Sequence, residues 1–109
     1  MGLDNFWECD REVRFDPPLV LCGGVFSNHG EGSFRGKVYD GLIGAVTGTS
    51  LYRKRIDNAT VRAMAANLQA TPFDEAWEQD GAITRQEYTD LQRMFAAYAE
   101  AGAALPGWW

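Results

Sequence analysis

The segment ITRQEYTDLQRMFAAYAEAG, residues 83–102, decides the helical part of the fold. Thr84 and Glu87 stand at the spacing of a capping box, in which each side chain bonds the other residue's backbone amide. Gly102 supplies a stop at the other end. Between them, apolar side chains recur at intervals of three and four: Tyr88, Leu91, Met94, Phe95 and Tyr98. This pattern predicts an amphipathic helix with one face in the core.

The pattern predicts another long helix near the middle of the chain. Ser33 is a good N-cap, and Gly48 can adopt the left-handed stop conformation. The stripe between them is apolar at helical spacing: Phe34, Val38, Tyr39, Leu42, Ile43 and Val46. Gly36, Gly41 and Gly44 lie inside this predicted helix, each at a cost of about 1 kcal/mol relative to alanine. We therefore expect another backbone to pack closely on the side of Gly41 and Gly44.

Two further helices are predicted between these long ones. Asp57-Asn58 caps the first, whose buried face would consist of Val61, Met64, Ala65 and Leu68. Thr71-Pro72 has the pattern of a cap followed by a first-turn proline, and it would begin a short helix that buries Phe73 and Trp77.

Short strands are predicted elsewhere, from alternating polarity or brief apolar runs. A turn at Asp10-Arg11 would form a hairpin, and Pro17-Pro18 would end its second strand because proline donates no ladder hydrogen bond. The predicted strands are 12–15, 19–22 and 51–56. The expected fold class is α+β: an N-terminal β-hairpin and short strands, followed by three to four helices in a single compact domain, 1–109.

Composition narrows the class of protein. The chain has 109 residues, 46% of them hydrophobic, which suits one folded domain, and no apolar run approaches the ~20 residues of a membrane span. The acidic start fits neither a signal peptide nor a transit peptide, so we expect a cytoplasmic protein. Residues 33–62 carry six basic and two acidic side chains, whereas the whole chain has a net charge of -5. This cationic middle segment can pair with the acidic flanks or face a partner.

The stretch GEGSFRGK, residues 30–37, raises the question of an anion site. It fails the P-loop pattern, because Glu31 stands at the first glycine position and Val38 at the hydroxyl position. What remains is a glycine-rich approach to a predicted helix N-terminus with nearby cations. The candidate anion-binding residues are Gly32, Ser33, Arg35, Lys37, Arg53 and Arg55. The alternative is a tight turn whose cations are solvated or paired internally.

Cysteine and histidine supply weaker candidates. Cys9, Cys22 and His29 could ligate zinc, but their spacing lacks the close pairs of known zinc sites. Cys22 and His29 could also act as a nucleophile and its base, although Cys22 equally fits a buried strand end. We expect free thiols, no metal and no cofactor.

The chain ends in Trp108-Trp109. We expect at least one of these indoles to be buried on the apolar face of the last helix, with a protein interface as the alternative. The segment RKR, residues 53–55, could suggest a nucleic-acid patch, but a pI near 4.7 argues against nucleic-acid binding, because phosphate neutralisation drives most of that affinity.

Three function hypotheses follow. The first is a small non-enzymatic binding protein whose cationic middle segment, from Gly30 to Arg55, engages an anionic ligand or an acidic partner surface. The second is an acidic inhibitor or immunity-type protein that blocks a basic site on another macromolecule. The third is a small Cys/His enzyme. The expected partners are a protein or a second copy, or a small anionic ligand, with no membrane.

Overall fold

The computed structural model describes residues 2–21 and 32–109 of the chain. The elements are β1 (Asp4–Phe6), β2 (Ser33–Phe34), α1 (Gly36–Thr47), β3 (Arg55–Ile56), α2 (Asn58–Ala70), α3 (Glu75–Gln79), α4 (Arg85–Glu100) and β4 (Leu105–Trp108). This order confirms the α+β class, with short strands first and helices following. None of the described helices is long and apolar enough to cross a bilayer.

The strands form one antiparallel sheet in the order β2-β1-β4-β3. Asn5 lies opposite both Phe34 in β2 and Gly107 in β4, and Ile56 lies opposite Leu105. The C-terminal strand therefore lies inside the sheet, between β1 and β3. The predicted N-terminal hairpin is wrong in its pairing, because β1 bonds to strands distant in sequence.

The helices cover one face of the sheet, which we call the inner face. Its side chains are fully buried: Leu3, Asn5, Trp7, Phe34, Ile56 and Leu105. Trp7 stacks on Tyr98 of α4, with ring centroids 4.5 Å apart and an interplanar angle of 5°. Phe95 meets the edge of the same indole. The apolar face of α4 is thus occupied by Trp7.

The second half of the predicted hairpin is not part of the sheet. The chain bends at Asp10-Arg11, but residues 12–15 and 19–21 form no strand. They run along α4 instead, with Val13, Phe15, Leu19 and Leu21 buried. Asp90 of α4 accepts from the amide of Val20 at 2.7 Å, and Arg93 donates to the carbonyl of Pro17 at 2.6 Å. These polar contacts replace the expected ladder.

The first long helix begins later than predicted. Ser33 lies in β2 rather than at an N-cap, and α1 starts at Gly36 after Arg35, which makes no side-chain cap. The amide of Lys37 donates to the carbonyl of Leu3 at 3.1 Å. A neighbouring strand thus supplies the acceptor that a capping side chain would have offered. The stop at Gly48 is confirmed, with φ 75° and its amide bonded to Gly44.

The expected close packing at Gly41 and Gly44 is wrong. A methyl group added at either position would meet nothing within 4 Å, so these glycines face open space. The crowded glycine is Gly36, where an added methyl would overlap the side-chain amide of Asn5. Gly36 therefore lets α1 approach the centre of β1.

The later helices follow the sequence patterns more closely. Asp57 caps α2, whose predicted face is buried, and the capping box of Thr84 and Glu87 opens α4. The short helix is different, because α3 begins at Glu75 with Asp74 as its cap, and Thr71 ends α2. Phe73 and Trp77 are half-buried and contact each other edge to face. Of the predicted strand 51–56, only β3 joins the sheet.

The C-terminal indoles are not buried, contrary to expectation. Trp108 is 74% exposed and Trp109 is 48% exposed. The C-terminus still belongs to the fold, because residues 105–108 form β4. Strand alternation explains the result, since Leu105 points inward and Trp108, three positions later, points away from the helices.

Candidate functional site

The sheet separates the predicted anion-binding residues into two groups. Gly32, Ser33, Arg35 and Lys37 belong to β2 and the start of α1, whereas Arg53 and Arg55 belong to β3 and its approach. β2 and β3 are opposite edges of the sheet, with β1 and β4 between them. Three strand spacings amount to roughly 14 Å, too far for one small anion to touch both groups.

Two of these arginines pair with acidic side chains of the N-terminal segment. Arg35 lies 3.7 Å from Asp4, and Arg55 lies 2.7 Å from Glu8. The hydrogen bond to Glu8, followed by its negative charge, raises the pKa of Arg55 above the ordinary value. Both pairs are about half exposed, so each contributes little to stability. They show the middle segment and the acidic flank pairing within one molecule.

The face of the sheet opposite the helices, which we call the outer face, carries an open groove of about 450 Å³. Its lining consists of Phe6, Lys54, Pro106, Gly107, Trp108 and Trp109. Tyr52 extends the surface, with its ring centroid 5.6 Å from that of Trp109. Six large apolar side chains among the described residues are exposed, and four of them (Phe6, Tyr52, Trp108 and Trp109) lie in this one area.

The pairing of β1 with β4 brings side chains that line the groove together on one face of the sheet. Asp4 lies opposite Trp108, and Asn5 lies opposite Gly107, so Phe6 falls level with Pro106. Because side chains alternate along a strand, Phe6, Pro106 and Trp108 share the outer face. Gly107 is required here, since a methyl group on it would come within 2.6 Å of the carbonyl oxygen of Arg53. Its amide donates to the carbonyl of Lys54 at 3.2 Å, which fixes that lysine beside the indoles.

Positive charge is concentrated next to this groove. Within the part of the chain that the structure describes, neither Arg53 nor Lys54 forms an ion pair, unlike Arg35 and Arg55. Hydrogen bonds from Thr60 chiefly lower the pKa of Asp57, and the charges of Arg55 and Arg53 lower it further, so Arg53 already interacts with a carboxylate of the protein. Lys54 both lines the groove and forms no ion pair within residues 2–21 and 32–109.

Of the residues proposed for a zinc site or a catalytic site, only Cys9 lies among the described residues. Cys9 is a half-buried free thiol whose Sγ lies 3.9 Å from the carbonyl oxygen of Ala101. Residues 2–21 and 32–109 contain no group of three or more side chains arranged to hold a metal. Cys22 and His29, proposed as catalytic and as metal ligands, lie outside the described residues, as does Glu31.

Sequence reasoning missed Phe6, Lys54, Pro106 and Gly107 as site residues. The available signal was alternation from Leu3 to Glu8, in which Phe6 falls on the opposite face from Trp7. Comparisons of the chain with protein-family models, with curated proteins and with solved structures find no match.

Proposed function

We propose that this protein is a small non-enzymatic binding protein, and that the outer face of its sheet is the binding surface. The observation that carries the proposal is the groove lined by Phe6 and the two C-terminal tryptophans. Apolar patches that remain exposed on a folded domain commonly mark interaction sites, and tryptophan is a favoured anchor at such sites.

The charge beside the groove selects the ligand class. Arg53 and Lys54 form no ion pair with the described residues, although the charge of Arg53 acts on Asp57, whereas Arg35 and Arg55 have carboxylate partners. An apolar ligand that carries a negative charge satisfies both the groove and these cations. Within the cationic middle segment, the proposed contacts to the ligand are therefore limited to cations at the edge formed by β3. Arg35 and Arg55 are not primary contacts.

Two small probes of similar size whose head groups carry opposite charges test this proposal. Phenylacetate and phenethylamine share a phenyl ring, and amide chemical shifts can locate each of them on the isotopically labelled protein. We expect phenylacetate to shift the amides of Lys54, Gly107 and Trp108, because the ring enters the groove while the carboxylate approaches Lys54. Phenethylamine should shift them far less.

Matched variants make the test specific. Trp108→Ala should abolish the shifts at the groove, whereas Val38→Ala, which shortens an exposed side chain on α1, should leave them unchanged. Equal shifts from both probes, or shifts confined to other surfaces, would contradict the proposal.

A further inference from the structure

We infer that the outer face accepts a short segment of a partner protein, one that presents a bulky apolar side chain beside carboxylates. This inference rests on the proposed function and specifies the kind of ligand. The proposed ligand is a short segment, and not the broad surface of a folded partner, a second copy of this chain or a membrane.

The area of the face limits the size of the ligand. The sheet has four strands, and the longest spans four residues. At about 4.8 Å between strands and 3.4 Å per residue, the face covers roughly 200–250 Å². A stable interface between folded proteins buries about 800 Å² on each partner. Even if the protruding indoles double the area, the face is too small to hold a folded domain or a second copy by itself.

The shape of the face favours a side chain inserted from a flexible segment. The groove of about 450 Å³ falls within the usual range of small-ligand pockets, roughly 300–1,000 Å³. Trp108 and Phe6 project from neighbouring strands on the outer face, and Pro106 and Gly107 line the groove beside them. One large apolar side chain can therefore lie against Pro106 and Gly107 with indoles beside it.

Electrostatics set the preference for carboxylates and argue against an anionic bilayer. Lys54 lines the groove, Arg53 precedes it in the chain, and Asp4 and Glu8 on the same face are already paired with their arginines. Lys54 can pair with a carboxylate of the segment. A membrane surface would instead meet the field of a chain whose net charge is -5.

Fluorescence anisotropy with three labelled synthetic peptides of equal length tests the inference. The first carries one phenylalanine among glutamates, the second has lysines in place of the glutamates, and the third has alanine in place of the phenylalanine. We expect the first to bind at least about tenfold more tightly than either of the others. Its affinity should also fall as salt rises, because the charged contact is exposed.

Charge reversal provides the decisive control. Lys54→Glu should reverse the preference, so that the lysine peptide binds more tightly than the glutamate peptide. Lys37→Glu makes the same change of charge at a lysine of the same cationic segment that does not line the groove, and it should leave the preference intact. If Lys37→Glu acts as strongly as Lys54→Glu, the preference is a net-charge effect and the inference is overturned.

The remaining outcomes separate this inference from the proposed function. If phenylacetate binds the groove but no peptide binds more tightly than phenylacetate, the inference of a short segment as ligand is wrong. The proposal that the outer face is a binding surface would still hold. If neither phenylacetate nor any peptide engages the groove, the proposed function fails as well. Dimerisation in sedimentation equilibrium, or binding to phosphatidylserine vesicles, would replace the segment as ligand if Trp108→Ala abolished it.

Discussion

The two faces of the sheet carry the same kind of side chain with opposite surroundings. Trp7 on the inner face is 1% exposed and stacks on Tyr98, whereas Trp108 on the outer face is 74% exposed. Trp108 lies in the central strand β4, and Trp7 lies immediately after the other central strand, β1. The difference arises from which face the helices cover. An aromatic side chain in a strand therefore contributes to folding on one face and remains available for binding on the other.

The largest expected effect comes from removing the inner indole. Trp7→Ala should lower the free energy of unfolding by about 3–5 kcal/mol, because it deletes a fully buried ring and leaves a cavity. Each 1 kcal/mol shifts the melting temperature of a small domain by about 4–8 °C, so the loss is readily seen by circular dichroism. A change below about 1 kcal/mol would contradict the assignment of Trp7 to the core.

The next effect tests the contact between α1 and the inner face. Gly36→Ala should destabilise the protein by about 1–3 kcal/mol, because the new methyl group overlaps the amide of Asn5. The measurement is chemical denaturation, repeated in an Asn5→Ala background. Gly36→Ala should cost less there, since the obstructing amide is gone. Equal costs in the two backgrounds would place the strain elsewhere.

A substitution on the open side of the same helix should have the opposite sign. Gly41→Ala should stabilise the protein by about 0.5–1 kcal/mol, because alanine favours the helix interior and the added methyl meets nothing within 4 Å. Chemical denaturation beside Gly36→Ala provides the direct comparison. A loss of stability would mean that a neighbouring surface lies closer to α1 than the structure shows.

The smallest effect on stability belongs to the outer indole. Trp108→Ala should change the free energy of unfolding by no more than about 0.5 kcal/mol, because the side chain is largely exposed. The same variant is expected to lose binding at the groove. A melting temperature that falls as far as in Trp7→Ala would show that the outer face is also part of the core.

The sequence predicted α2 and α4 well because their signals are local. The capping box at Thr84 and the apolar spacing after it are complete within one element, and the structure confirms both. Strand pairing could not be predicted in the same way. Asn5 and Gly107 are far apart in the sequence, and no short pattern indicates that they lie opposite each other. For this reason the hairpin was predicted at the nearest turn in the sequence, Asp10-Arg11.

The candidate site was predicted only in part, for the same reason. The terminal tryptophans and the cations at 53–55 were evident from composition, but their meeting depends on β4 lying beside β3. At least one of Trp108 and Trp109 was expected on the face of α4 that Trp7 occupies. Trp7 occupies that face instead, because strand alternation directs Trp7 towards the helices and Trp108 away from them.

The central position of β4 also affects how the chain reaches its native state. On the ribosome, β1 and β3 are synthesised long before the strand that joins them, and the sheet cannot be completed until residues 105–108 have emerged. The pairing of Asp4 with Trp108 spans nearly the whole chain, and such distant contacts slow the folding of small domains. The helices, built from neighbours in sequence, can form during synthesis, whereas the groove on the outer face is completed only after residues 105–109 have been synthesised.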